Sequence, residues 1–149
     1  ANFARQPQGG DTTQIQSIAA GECSAALINH YYWVRLSTGF DADRATAAKT
    51  RLSFPEQDDV GTHVNVTAAA VAAHAPNKDN AVRFIEWLAT PQGQQMLTTE
   101  TKEFPMVAGV PLPEGLAALP DFKQSDFPLE QLGQNQSEAQ EIYDRAGWN

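Results

Sequence analysis

Two tyrosines stand side by side at positions 31 and 32, in the stretch LINHYYWVR over 27–35, with His30 before them and Trp33 after. An unperturbed phenol ionises only near pH 10, so a phenolate at neutral pH needs a strong positive charge close by. A bound hard cation provides that charge and takes hard oxygen donors. A trivalent ion holds phenolates ionised as bound metals do for coordinating groups in general, and ferric iron fits this chemistry best. The competing reading packs Tyr31, Tyr32 and Trp33 as an aromatic cluster on a sheet with the hydroxyls in water, a common use of amphipathic rings. The dipeptide alone does not decide between the two.

Backbone geometry narrows the choice. Neighbours on a strand point to opposite faces, whereas neighbours on a helix differ by about 100° and can converge on one object. For the tyrosines to share a ligand they must lie past the strand that precedes them, in a loop or a first helical turn. CSAALIN (23–29) is short, apolar and unbroken, which predicts a strand buried on both faces and ending near Asn29. Before it, Asp11 or Thr12 is a candidate cap for a helix whose apolar face is Ile15, Ile18 and Ala19 and which stops at Gly21.

The remainder alternates in the same way. A polar helix is expected over 42–50, then the breaker stretch SFPEQDDVG, then a strand over 62–73 (THVNVTAAAVAA). Asp79 can cap the next helix, in which Ala81, Phe84, Ile85 and Leu88 recur at helical spacing; Pro91 opens another helix carrying Met96 and Leu97. A last helix over 136–146 places Ala139, Ile142, Tyr143 and Ala146 on one face, after an irregular linker. Strands alternating with helices predict an α/β fold with a mixed or parallel sheet flanked by helices. Such sheets bind ligands beyond the carboxyl ends of their strands, which is where LINHYY falls.

Composition limits the alternatives. The 149 residues are 42% apolar and 19% charged, a globular balance, and the net charge of −8 argues against a basic nucleic-acid-binding face. No apolar run approaches the roughly 20 residues that span a bilayer. Cys23, the only cysteine, cannot form an internal disulfide and is expected as a buried, inert thiol. No signal segment opens the chain, which is the pattern of a mature product, a fragment or a cytosolic protein. There is no GxSxG, CxxC, HExxH or GxGxxG, so a hydrolase using Cys23 or a serine with His30 has no recognisable base partner and no enzyme is expected.

Several separated motifs, in order, match one family. Asn29-His30-Tyr31-Tyr32-Trp33, the preceding GGDTTQIQSIAAGECSAAL, the long GTHVNVTAAAVAAHAPNKDNAVRFIEWLATPQGQQ, then KEFPMV and LGQNQSEAQEIYDRAGW together resemble the periplasmic ferric-ion-binding proteins of bacterial iron ABC transporters. The resemblance implies a type II periplasmic-binding-protein fold, with this chain as the C-terminal half of two lobes. Residues 1–60 would belong to the second lobe, 61–110 would contribute to the first, and 111–149 would return to the second. Ferric iron would sit in the interlobe cleft, held by Tyr31 and Tyr32 and by ligands from the upstream N-terminal half, and would pass to an inner-membrane permease. By the same resemblance Asn29 would help hold a synergistic anion, carbonate or phosphate; its alternative is a plain turn residue. Asp11 would serve an anion or bond to the ligands, or simply cap its helix. Arg5 reads as a solvated charge. His30 would lie on the cleft rim and His63 and His74 would be structural. A same-fold protein for an oxyanion or small organic solute, with the tyrosines as hydrogen-bond donors, is the alternative.

Overall fold

The computed structural model describes residues 8–147, so Arg5 and Trp148 lie outside the described residues. Eight helices occur among them: α1 (Asp11–Ala19), α2 (His30–Ser37), α3 (Asp41–Ala47), α4 (Lys78–Leu88), α5 (Pro91–Thr101), α6 (Glu114–Ala117), α7 (Glu130–Gln134) and α8 (Gln136–Ala146). The backbone gathers into two compact units. One takes the described residues up to Ile28, with Ala45–Val64 and the stretch from Asp121 onward; the other takes Asn29–Arg44 and Asn65–Pro120.

In the first unit, α1 buries Ile15 and Ser17 and ends at Ala20, with Gly21 taking the left-handed conformation at φ +81° that a helix terminus favours in glycine. The cap is Gly10 and makes no side-chain cap bond. Asp11 is therefore the first helical residue and not the expected cap, its carboxylate placed where the helix dipole favours negative charge. The breaker stretch and residues 121–125 are tied together. Thr62 forms an isolated parallel bridge with Gln124, the Gln57 amide bonds to both Thr62 and Lys123, and Phe54 stacks on Phe122 at 4.0 Å between ring centroids. The predicted helix α8 forms, but none of its residues is buried, and Ile142 and Tyr143 remain about half exposed.

In the second unit α4 and α5 make a helical hairpin. Thr90 caps α5, its hydroxyl accepting from the Gly93 amide at 3.1 Å, and Pro91 occupies the first turn where its missing N–H costs nothing. A Cβ on Gly93 would stand 2.8 Å from Leu88 Cα, so the hairpin closes only around glycine. Asp79 likewise lies in the first turn of its helix, the cap being Asn77. Helix α6 packs on α2 through Gly115, where a Cβ would meet Val34 Cγ1 and Thr38 Cγ2 at 2.7 Å, and Val34 and Leu116 are fully buried in this unit.

The sheets expected from the sequence do not form among the described residues. Segments 23–29 and 62–73 carry no ladder, the Thr62 to Gln124 bridge aside, and they are exposed: Leu27 keeps 80% of its surface and Val66 41%. An apolar run reports which residues favour burial, but a strand becomes a sheet only by pairing with another backbone, and a run carries no record of its partner. Cys23 is accordingly half-buried and free instead of sealed in a core.

Candidate metal centre

Tyr31 and Tyr32 occupy the first turn of α2. Asn29 is its cap, in extended backbone at φ −78° and ψ 134°, so the chain turns from an extended approach into helix one residue before His30. The Tyr32 amide bonds to the Asn29 carbonyl at 3.3 Å. Because the pair is helical, the two rings converge, their centroids 4.6 Å apart and their planes tilted by 38°. Both are half-buried. Val34 and Leu36, further along the helix, are the residues that enter the core, which leaves the tyrosines at its margin.

Arg35 binds the pair from the next turn. Its guanidinium carbon lies 5.2 Å from the Tyr31 ring centroid and 5.5 Å from that of Tyr32, while Nη2 donates to the Thr101 carbonyl at 3.0 Å. A cation over two ring faces is attracted by their quadrupoles. The acceptor is the last residue of α5, whose terminal carbonyls lack helical partners.

His30 reaches the neighbouring residue of the same chain segment. Nε2 donates to the Lys102 carbonyl at 3.0 Å, the ring stacks on Phe104 at 5.0 Å, and its edge meets Tyr31 at 5.7 Å. Burial holds its imidazole below the ordinary value of 6.5, against the opposing pull of the Lys102 carbonyl and the Glu103 charge. His63 and His74 are exposed. The Arg35 contact was discoverable in the sequence, since it sits four residues after Tyr31 and three after Tyr32, the spacing of one helix face. Lys102 and Phe104 left no signal, being some seventy residues away along the chain.

Asp11 belongs to the first unit and Asn29 and the tyrosines to the second. Among the described residues no group of three or more His, Cys, Asp or Glu side chains could hold a metal ion. No described helix is long and apolar enough to cross a membrane. An open depression of about 430 Å³ at the start of α4, lined by Ala75, Asn77, Asp79 and Asn80 among others, includes none of Tyr31, Tyr32, Asn29 or Asp11.

Residues 8–124 match the bacterial extracellular solute-binding protein family, and the chain belongs to it. It is 42% identical over 149 residues to iron uptake protein A1 of Synechocystis, an alignment covering 99% of this chain and 41% of that protein. A solved Trichodesmium structure (IdiA, FutA), in complex with iron and citrate ligands, superposes with a TM-score of 0.91 at 39% identity over 99% of this chain and 47% of the other. A ferric binding protein from Campylobacter jejuni gives a TM-score of 0.93 at 33% identity, with 99% and 47% covered. The chain thus spans about half the length of the relatives it matches.

Proposed function

We propose that this chain supplies a tyrosine pair, Tyr31 and Tyr32, to a ferric-ion site in a two-lobed solute-binding protein that delivers iron to an inner-membrane ABC permease. The convergence of the two phenol rings at 4.6 Å on the first turn of α2 carries the reading. Paired phenol oxygens suit a hard trivalent cation, and the Arg35 guanidinium lies over both rings. Support also comes from relatives named for iron uptake or ferric binding. The chain performs no catalytic step in this scheme; its work is capture, closure of the cleft by hinge motion and release.

Two phenolates do not fill an iron coordination sphere, so the remaining donors come from the upstream half of the protein and from an anion. Asn29, capping the helix that carries the pair, is the candidate to hold that anion, whether carbonate, phosphate or the citrate present in the Trichodesmium complex. Asp11, at the amino-terminal end of α1, is the other candidate of this reading, for an anion or for bonding to the ligands. The unladdered segments 23–29 and 62–73 would find their strand partners in the upstream half, restoring the mixed sheets of the type II architecture. The lobe assignment, with 1–60 and 111–149 in one lobe and 61–110 in the other, and a periplasmic location, belong to this reading.

Titrating the complete protein with ferric ion, alone and in competition with phosphate, sulfate and small organic solutes, tests the reading. A visible tyrosinate-to-iron band that saturates with one ion per protein is the expected outcome. Tight binding of an oxyanion or organic solute with no such band would favour tyrosines acting as hydrogen-bond donors.

A further inference from the structure

We infer that His30 is a positioning residue for the tyrosine pair, holding Tyr31 against the carboxyl-terminal end of α5 and not ligating the ion itself. The inference rests on the ferric-site reading above. Its basis is a chain of contacts that begins far from the tyrosines, inside α5. Gln94 and Thr98 are polar yet buried, Thr98 keeping only 1% of its surface. Buried polar groups hold their place by hydrogen bonds, and each of these two makes a bond to the segment that follows the helix, Gln94 making a second one back to α4. The Thr98 hydroxyl donates to the Glu103 carbonyl at 2.5 Å. The Gln94 side chain donates to the Leu88 carbonyl at 2.9 Å and accepts from the Met106 amide at 2.7 Å.

That bracing fixes residues 102–106, in which Lys102 holds a left-handed conformation at φ +64° as the cap of α5. A non-glycine residue persists there only when its surroundings over-determine it. The result is one carbonyl, from Lys102, and one aromatic face, from Phe104, presented together. His30 engages both, the carbonyl through Nε2 and the ring by stacking, and turns its edge to Tyr31. A nitrogen that donates to a carbonyl has no lone pair for a metal, so the contact excludes Nε2 as a ligand while fixing the ring that borders Tyr31. The arrangement follows the general logic by which groups behind the ligands orient them.

The test uses the complete protein, reading ferric affinity by chelator competition and the position of the charge-transfer band. His30→Phe keeps a stacking ring and loses the donor; affinity should fall about 10- to 100-fold, the usual cost of removing an orienting partner, and the band should shift. His30→Gln returns a donor for the Lys102 carbonyl and should recover part of the loss. Thr98→Val, which touches neither His30 nor the tyrosines, should shift the band in the same direction and decides the matter should His30→Phe fail to fold. Wild-type affinity and band in His30→Phe, or equal loss in His30→Phe and His30→Gln, would overturn the inference with the ferric reading intact. Absence of the band from the wild-type protein would overturn both.

Discussion

A phenol at the margin of a core and a phenol at a metal differ in what their truncation does. Tyr31→Phe and Tyr32→Phe keep the rings, and with them the 4.6 Å pairing and the Arg35 contact, and delete only an oxygen. Each should leave the folding midpoint within about 0.5 kcal/mol of wild type, as substitutions away from cores and caps generally do. Each should weaken ferric binding by at least about 100-fold, the upper end of what losing even an indirect partner costs. Loss of stability without loss of affinity would return the pair to the aromatic-cluster reading. Arg35→Leu removes an exposed cation over two rings and one hydrogen bond to Thr101, and thermal unfolding should show about 1 kcal/mol lost. At this scale the sequence was informative wherever a contact was local. Tyr31, Tyr32 and Arg35 lie within five residues of one helix, and convergence of the rings follows from helical spacing. Asp11 and Asp79 missed their expected cap roles by a residue or two, because Gly10 and Asn77 also accept cap positions and sequence marks helix ends only to that precision.

Helices were legible for the same reason that sheets were not. α1, α4, α5 and α8 announce themselves by periodicity within one segment and by glycine or proline at their ends, all of it local. The apolar runs 23–29 and 62–73 call for partners that no local pattern names, and within the described residues they have none beyond one bridge. Short α6 escaped notice because four residues show no period, yet it matters to α2. Gly115→Ala would drive a Cβ into Val34 and Thr38, and chemical denaturation should report about 1–3 kcal/mol of destabilisation, the cost of overpacking. The contact between α2 and the end of α5 also carries a pH dependence. Burial keeps the His30 value in the folded chain below 6.5, so the unfolded chain takes up the proton first as the pH falls. Stability from this group is present above about pH 6.5 and is lost as the pH drops below it. Between about pH 7.5 and about pH 5.5 the unfolding midpoint of the metal-free protein should therefore fall more for wild type than for His30→Phe, and parallel curves would contradict this.

Taken whole, the chain exposes apolar side chains that a finished solute-binding protein would cover. Phe40 keeps 86% of its surface, Leu27 80% and Met106 77%. In the proposed reading an upstream half would cover those surfaces, the chain matching about half the length of its relatives. Residues 1–149 produced alone should bind an apolar dye and self-associate, and co-expression with the preceding half should abolish both, measured by dye fluorescence and light scattering. The central claim is that Tyr31 and Tyr32 meet one ferric ion in the completed protein, and the visible absorption of that protein on loading with iron tests it most directly. A tyrosinate-to-iron band that appears in wild type and is lost or displaced in both Tyr31→Phe and Tyr32→Phe is the result expected. Iron bound tightly with no such band, or a band indifferent to both substitutions, would contradict it.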